Sequence, residues 1–345
     1  MGKVAAARKL ASAAAYGGGG LSLLGASLYG VLRAEARLAR LVIGRAEGAP
    51  PDATGWYGRG RPGPAIKIAL LGDSSAVGYG VETVTETPGA ILASGVTEQT
   101  DRRVYLRQLA VVGAQSSDLQ PQVAQALRLR PDLTVIFVGG NDVTHTVLPS
   151  ASVRHLSEAV RTLADAGSAV VVGTCPDLGT IRPIAPPLRQ VARSWSRRLA
   201  AAQAIATVEA GGRSVSLGSI LGPEFARDPN RLFGPDRFHP SADGYRAMVA
   251  VVLPSLLAML DPAQDEAAPA DAWDTRVMSV VTAAVEAVQT PGTELDGSAA
   301  AAGRRGVRGR WVQLRQRNRQ GTETTTAPEE SGAAETLLED SSSGG

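Results

Sequence analysis

The chain has 345 residues with 35 basic and 33 acidic side chains, and this near balance excludes the strong overall positive field of a nucleic-acid-binding protein. Hydrophobic residues make up 44% of the chain, which excludes wholesale disorder, and only 4% are aromatic, which argues against a base-stacking surface. A single cysteine excludes an intrachain disulfide and a multi-cysteine zinc site, and three histidines leave few choices for an imidazole base.

The first predicted element is an apolar run near the N-terminus. Residues 11–32 carry no charge over 22 positions, which is long enough to cross a bilayer, although six of them are glycine. A basic amphipathic helix pattern follows over residues 32–41, and no small-residue cleavage site separates the two. We expect membrane association through residues 11–45. The alternative is a helix that packs on a cytoplasmic body.

Basic residues number three before the apolar run and four after it, so the positive-inside rule does not decide an orientation. Residues 1–45 are therefore an N-terminal helical segment and a candidate anchor, and residues 46–65, rich in Gly and Pro, are a predicted linker. Residues 262–345 end in blocks of opposite charge and predict a largely disordered tail, with one helix pattern over 273–288. The nearly neutral residues 66–261 suit one three-layer domain.

Strand and helix patterns alternate through this central domain. Short apolar runs that end close to glycine predict five buried strands. We place the strands at residues 66–71, 104–112, 133–138, 169–172 and 214–217. We place helices at residues 88–99, 117–129, 153–166, 187–209 and 241–260. The alternation predicts an α/β domain with a parallel sheet, right-handed crossovers and helices on both faces.

Polar residues follow the ends of the predicted strands, where open parallel sheets bind their ligands. Ser74 comes after the first strand and offers a hydroxyl nucleophile. His239 offers an imidazole base, and Asp236, three residues earlier, can orient that imidazole. Gly113 and Asn141 follow two further strands and, with the backbone N–H of Ser74, offer hydrogen-bond donors to an oxyanion. Together these groups make up the machinery of acyl transfer.

Other reactive residues are weaker candidates for the nucleophile or the base. Ser75 is an alternative nucleophile beside Ser74. His145 stands four residues after Asn141 and is expected to be a polar loop histidine that borders the pocket, a weaker candidate for the base than His239. His155 falls in a helix pattern and is expected on its surface. Cys175 follows the fourth strand and is expected to be a small buried thiol.

The sequence does not match the motifs of other enzyme and nucleotide-binding families. Ala76 stands where a nucleophile elbow has its second glycine, and Thr83 stands where a dinucleotide fingerprint has its third. The sequence contains no Walker A pattern and no His-Glu-x-x-His, and three scattered histidines make a poor metal site. We therefore expect no cofactor and no metal.

The chain resembles the SGNH/GDSL hydrolase superfamily over residues 66–260, and most of all its actinobacterial members. The blocks that carry this resemblance are Gly72-Asp73-Ser74-Ser75, Gly113, Gly139-x-Asn141-Asp142 and Asp236-x-x-His239. The first block departs from the commonest family sequence, because Ser75 stands where Leu usually follows the serine. The resemblance implies a flavodoxin-like three-layer α/β/α sandwich with five parallel strands.

The resemblance also implies site residues and an activity. Ser74 would be the nucleophile, His239 the base and Asp236 its orienting carboxylate, and the oxyanion hole would be formed by Ser74, Gly113 and Asn141. The expected function is hydrolysis of a small-molecule or lipid ester, with no nucleic-acid partner. Two alternatives stay open, an acyltransferase with a sugar or lipid acceptor and a non-catalytic, membrane-tethered binding module.

Overall fold

A computed structural model describes residues 30–39, 41–42, 49–260, 293–295 and 311–313. Helical residues 30–39 and 41–42 form α1. The strands are β1 (Gly55–Tyr57), β2 (Ile66–Gly72), β3 (Val104–Gln108), β4 (Leu133–Phe137), β5 (Ala169–Gly173), β6 (Arg213–Val215), β7 (Thr293–Leu295) and β8 (Trp311–Gln313). The other helices are α2 (Ser74–Val77), α3 (Pro88–Thr100), α4 (Leu119–Leu129), α5 (Gly140–Thr144), α6 (Pro149–Asp165), α7 (Leu188–Glu209), α8 (Leu217–Arg227), α9 (Pro229–Leu232) and α10 (Ala242–Leu260).

The strands form one sheet in the order β1-β3-β2-β4-β5-β6-β7-β8. Its middle five strands are β3, β2, β4, β5 and β6, and they run parallel, as predicted. Their order is the one found in flavodoxin-like sheets, so the predicted α/β fold class is confirmed. Within the described residues the sheet also holds β1, β7 and β8, which pair antiparallel. These three were not predicted, because three residues are too few to show a strand period.

Alternate side chains of the central strands enter two separate cores, which makes the domain three-layered. Leu70 and Val171 belong to the core that packs under α3 and α10. Their neighbours Leu71 and Val172 point to the other side and pack against α4 and α6. A strand buried on both faces is apolar at every position, and this explains why the strand sequences are continuous apolar runs rather than alternating ones.

The predicted helices and strands are confirmed within a few residues, except that β3 is shorter than its apolar run. The N–H groups of Leu109 and Ala110 both donate to the carbonyl of Leu70, at 2.8 and 3.1 Å, so the regular pairing stops there. Val111 then bonds the carbonyl of Gly72 at 3.0 Å. The irregular segment thereby carries the following loop, which contains Gly113, to the end of β2.

The predicted linker, residues 46–65, contains strand β1, whose Trp56 packs on Tyr105 of β3 with ring centroids 5.1 Å apart. β7 and β8 fall inside residues 262–345, for which a largely disordered tail was predicted. The predicted helix over 273–288, and residues 11–29 of the apolar run, lie outside the described residues.

Among the described helices, α10 alone is long and apolar enough to cross a membrane, with a mean hydropathy of 1.4. Tyr245, Val252 and Leu256 of this helix are fully buried in the core beneath the sheet. The apolar character of α10 is therefore explained by its place in the domain core.

Candidate active site

The site begins at the end of β2, the point where the sheet changes direction. β3 lies on one side of β2 and β4 on the other, which opens a crevice beyond the carboxyl end of β2. Gly72, the last residue of β2, has φ +131°, and a Cβ there would overlap the carbonyl oxygen of Phe137. The side-chain amide of Gln122 bonds both the N–H and the C=O of Gly72, at 2.7 and 3.0 Å. The chain is thus held in a sharp turn towards Ser74.

Asp73 starts the short helix that carries Ser74. Its carboxylate accepts the N–H of Ser75 at 2.8 Å as the N-cap of α2. Gly78 ends the helix in the left-handed conformation, with φ +85°. Ser74 is therefore the first residue of a single helical turn, and its side chain is largely buried at the edge of the crevice.

Ser74, His239 and Asp236 form a continuous chain of hydrogen bonds. The Oγ of Ser74 lies 2.8 Å from Nε2 of His239, and Nδ1 of His239 lies 2.6 Å from Oδ2 of Asp236. A carboxylate can only accept, so Nδ1 carries the proton and Nε2 of the neutral ring is free to accept the serine proton. The three residues predicted to form a triad are brought together by the fold.

Asp236 is held by its own loop. Its Oδ1 accepts the N–H groups of Phe238 and His239, both at 3.0 Å. Burial acts to raise the pKa of Asp236, but the hydrogen bond from His239 and the two backbone N–H groups outweigh it, and the pKa lies below its usual value. Asp236 is therefore ionised at neutral pH and positioned to stabilise a protonated imidazole.

Two aromatic rings contact the imidazole. Tyr79 and Phe238 pack against His239 with ring centroids 4.7 and 5.0 Å away. The carbonyl of Tyr79 accepts the hydroxyl of Tyr245 at 2.8 Å. Burial raises the pKa of the Tyr245 hydroxyl well above its usual value, so this group remains a donor. α10 thus fixes the segment that follows Ser74 against the loop that carries His239.

An apolar cleft extends from Ser74, and two of the three predicted oxyanion donors lie beside it. Ser74 and Asn141 both line it, whereas Gly113 is exposed and is not among its lining residues. The Nδ2 of Asn141 donates to the carbonyl of Ala114 at 3.0 Å, which joins the Gly113 loop to α5. Gly113 has φ +83°, a conformation that glycine adopts at no steric cost.

Asp142 ties the same two segments together, a role that sequence analysis did not assign. It is fully buried, and its carboxylate accepts the N–H of Ser116 at 3.1 Å and the hydroxyl of Ser152 at 2.7 Å. Ser116 Oγ lies 3.2 Å from the same carboxylate. The sequence places Asp142 directly after Asn141, but the partners lie 26 and 10 residues away, so only the fold reveals this function.

Gln203 plays a comparable part at the ends of β4 and β5. Its Oε1 accepts the N–H of Cys175 at 2.7 Å, and its Nε2 donates to the carbonyl of Val138 at 3.0 Å. The fully buried amide of α7 therefore satisfies two backbone groups that the sheet leaves unpaired. No local pattern in the sequence of α7 indicates this position.

An apolar cleft extends from Ser74 towards α8. Helical spacing brings Leu217, Leu221 and Phe225 onto one side of α8, and all three line this cleft. The other apolar side chains that line it are Phe137, Val138, Pro176, Leu178, Ile181, Phe233, Phe238, Pro240 and Met248. Nothing in the sequence pattern predicted α8 or this cleft, because its walls come from six separate segments.

The remaining reactive side chains stand apart from this chain of hydrogen bonds. His145 is exposed, and its Nδ1 lies 2.9 Å from the carbonyl of Asn141. His155 is half-buried on α6. Cys175 is buried after β5, and burial raises the pKa of its thiol well above the usual value, so the thiol stays protonated, in line with the expected inert role.

Asp73 gives the site a pH-dependent stability. The residue is 3% exposed, and burial raises the pKa of its carboxyl to about 6, although the N–H of Ser75 and the charge of His239 act to lower it. The unfolded chain releases this proton near pH 4, whereas the folded protein keeps it until about pH 6. Stability is therefore lost as the pH rises through this window, and the full cost of about 3 kcal/mol applies above it.

We expect Asp73→Asn to raise the free energy of unfolding above pH 6 by about 1–3 kcal/mol, because it removes the buried charge and keeps an oxygen for Ser75. The gain should shrink to nothing as the pH falls towards 4. Urea unfolding of both proteins across this pH range measures the difference. Asp165→Asn, at an exposed position on α6, is the control and should give no such slope. A stability difference that does not change with pH contradicts the prediction.

The part of the chain that holds this site is similar to known proteins. Residues 70–247, which include Ser74, Asp236 and His239, match the model of the GDSL-like Lipase/Acylhydrolase family. The chain is 41% identical over 248 residues to the GDSL-like esterase Rv1075c of Mycobacterium tuberculosis, which covers 68% of this chain and 78% of that protein.

Two solved structures are also similar in fold. A variant of Axe2, an acetyl-xylooligosaccharide esterase from Geobacillus, shares 15% identity with a TM-score of 0.45, covering 55% of this chain and 94% of its own. A lipase/acylhydrolase from Enterococcus faecalis shares 22% identity with a TM-score of 0.41, again covering 55% and 94%.

Proposed function

The chain belongs to the GDSL-like lipase/acylhydrolase family and is an ester-hydrolysing enzyme, and from this premise we propose that it cleaves carboxylic esters through an acyl-enzyme on Ser74. The observation that carries the proposal is the hydrogen-bond chain from Ser74 through His239 to Asp236, with distances of 2.8 and 2.6 Å, at the end of an apolar cleft. A hydroxyl, a neutral imidazole that accepts its proton and a carboxylate behind it are the groups that serine-dependent acyl transfer needs.

In the first half of the reaction, Ser74 Oγ attacks the ester carbonyl while its proton moves to Nε2 of His239. The resulting imidazolium is stabilised by Asp236, whose lowered pKa keeps it charged. The tetrahedral intermediate then collapses, its C–O bond to the alcohol breaks, and the leaving oxygen takes the proton from Nε2. The acyl group remains on Ser74 as an ester.

In the second half, water loses a proton to Nε2 and attacks the acyl-Ser74 carbonyl, and collapse returns that proton to Ser74 Oγ and releases the acid. In both halves a negative charge develops on the carbonyl oxygen. We assign its stabilisation to the backbone N–H of Ser74, the backbone N–H of Gly113 and the amide of Asn141. The bonds from Asn141 to Ala114 and from Asp142 to Ser116 support this assignment, because they hold the two loops in a fixed relation.

The cleft supports an apolar acyl group as the part of the substrate bound next to Ser74. Its wall on α8 is aliphatic and aromatic, and a buried methylene gains about 0.8 kcal/mol by leaving water. The segment after β5 adds Pro176, Leu178 and Ile181 to this lining, together with the polar side chains of Thr174, Asp177 and Thr180. Charged and sugar-like acyl groups would find no polar side chain on the α8 wall. We therefore assign esters of aliphatic carboxylic acids as the substrate class.

The acyl-enzyme is tested with a fluorophosphonate that carries an alkyl chain. Attack by Ser74 on phosphorus expels fluoride and leaves a stable adduct, because the phosphonyl group resists hydrolysis. We expect one adduct per chain, located on Ser74 by fragmentation of the peptide that also contains Ser75, and no adduct on heat-unfolded protein. An adduct on Ser75, or the absence of any adduct on folded protein that hydrolyses esters, contradicts the proposed mechanism.

The acyl pocket is tested with Leu221→Phe, which places a larger ring on the cleft side of α8. We expect the ratio of kcat/KM for an octanoyl ester to that for an acetyl ester to fall about tenfold, because overpacking costs on the order of 1–3 kcal/mol only where the chain enters the pocket. Ile220→Phe, on the same helix but outside the cleft lining, is the matched control and should keep the ratio. An unchanged ratio in Leu221→Phe places the acyl group elsewhere.

A further inference from the structure

Helix α1 packs on the body with only one of its sides. Ala39 is 5% exposed and belongs to the core, and the carboxylate of Glu35 accepts the N–H of Leu188 at 2.8 Å. Leu32 and Ala36 on the same side are half-buried. These contacts explain the apolar residues on one side of the helix, which attach it to the rest of the protein.

The outward side of α1 carries a second apolar stripe, which we name the outer row. It consists of Val31, Leu38, Leu41 and Val42, whose exposed fractions are 47, 61, 81 and 44%. At 100° per residue these four positions fall within one sector of about 100°, which adjoins the packed sector of Ala39 at Val42 and reaches the opposite side of the helix at Leu41. A helix that needed only to pack on the body would be polar on this side, so the outer row indicates a second binding partner.

We propose that the outer row docks α1 onto the surface of an anionic lipid layer. Arg33 and Arg37 are exposed on α1 beside the row, and residues 1–65 carry a net charge of +6, which complements acidic headgroups. The uncharged run of 22 residues ends at Leu32, within the first turn of α1, so apolar sequence leads directly into this helix. Apolar and basic side chains on one short helix are the pattern of helices that lie in a membrane interface.

The outer row is also joined to the loop that carries His239. The guanidinium of Arg237 donates to the carbonyl of Val42 at 3.5 Å, and Arg237 stands between Asp236 and His239 in the chain. Lipid bound to the row therefore lies next to the catalytic loop. On the proposed function, this places the apolar cleft beside the layer in which aliphatic esters dissolve, so the enzyme takes its substrate from the lipid rather than from water.

The first test compares an octanoyl ester held in vesicles of phosphatidylcholine and phosphatidylglycerol with an acetyl ester in buffer, using the full chain. Leu38→Asp with Leu41→Asp should lower turnover of the vesicle-held ester at least about tenfold, because two exposed leucines lose their apolar contact. Turnover of the acetyl ester should stay within about twofold, because neither side chain contributes to the site. Val84→Asp, at a valine 41% exposed in the segment before α3, is the control and should change neither.

The two reactions separate failure of this proposal from failure of the proposed function. Loss of acetyl ester turnover in Ser74→Ala tests the catalytic assignment and does not involve the outer row. If the double variant hydrolyses the vesicle-held ester as fast as the unchanged enzyme, or if the unchanged enzyme shows no preference for anionic over purely zwitterionic vesicles, lipid docking through the outer row is wrong.

The second test reads contact directly. Cys175 is 1% exposed, so a thiol-reactive, polarity-sensitive fluorophore can be placed at a new cysteine, Leu41→Cys, and compared with Val84→Cys. We expect anionic vesicles to shift the emission of the Leu41→Cys conjugate to the blue and to leave the other conjugate unchanged. A shift that appears without vesicles and grows with protein concentration would assign the row to a second copy of the chain and overturn the proposal, as would no shift at all.

Discussion

Replacing Ser74 by alanine is expected to lower ester turnover by about four to six orders of magnitude. The variant lacks the oxygen that lies 2.8 Å from Nε2 of His239 and that forms the bond to the acyl group. Binding of the ester and the oxyanion donors would remain, so a small residual rate above that of water is expected. Initial rates with an acetyl ester, measured on protein purified without other esterases, give the ratio.

Ser75→Ala is the matched control for this prediction. Ser75 also lines the cleft, and it bonds Asp73 through its N–H, which the substitution keeps, and through its hydroxyl, so the substitution removes one bond to Asp73 and no group of the chain from Ser74 to Asp236. Its activity should therefore stay within about tenfold of the unchanged enzyme. Unchanged thermal melting of Ser74→Ala would show that the fold is intact. If Ser75→Ala instead loses the larger part of the activity, the nucleophile has been assigned to the wrong serine.

Gly72→Ala is expected to destabilise the folded protein by more than about 4 kcal/mol, which in a marginally stable domain means little soluble protein. The new Cβ would overlap the carbonyl of Phe137 on the neighbouring strand, and φ of +131° is a conformation that alanine rarely adopts. Relief requires β2 and β4 to separate at their carboxyl ends, where Gln122 holds Gly72 by two hydrogen bonds.

Two other glycines separate the causes of this loss. Gly167→Ala keeps a positive φ of +87° but adds its Cβ in open space, so it should cost only about 1–2 kcal/mol of backbone strain. Gly60→Ala has neither a positive φ nor a near neighbour and should be close to neutral. Denaturant unfolding of the three variants gives the comparison. If Gly72→Ala is no less stable than Gly167→Ala, close strand approach does not explain the glycine at this position.

The local parts of the fold could be predicted because they depend on neighbouring residues. The apolar run 66–71 and the periodic pattern 241–260 became β2 and α10 at nearly the predicted bounds. Parallel strands end at a shared edge, so the sequence alone predicts that residues which follow separate strands lie close together. This is why Ser74 and Asn141, which follow different strands, were predicted to lie in one site. His239 stands before the last helix, 165 positions after Ser74, and was predicted as its partner from the groups that acyl transfer needs and from the family resemblance.

What depends on long-range packing appeared only in the tertiary structure. The predicted linker contains β1, because pairing with β3 supplies the hydrogen bonds that a three-residue strand cannot signal in its own sequence. The roles of Asp142, Gln122 and Gln203 became visible only with their partners, since a buried polar side chain is recognised by what it bonds.

By itself, therefore, the sequence determined the α/β class, the order of the elements and the residues offered at the strand ends, because period and strand polarity are local properties. The tertiary structure decided that one face of α8 and the segment after β5 enclose an apolar cleft, and that α1 has one side on the body and another exposed. The cleft and the two sides of α1 depend on which surfaces meet in the folded protein. A hydrophobic pattern in the sequence indicates that a side chain is buried, but not which residues it packs against.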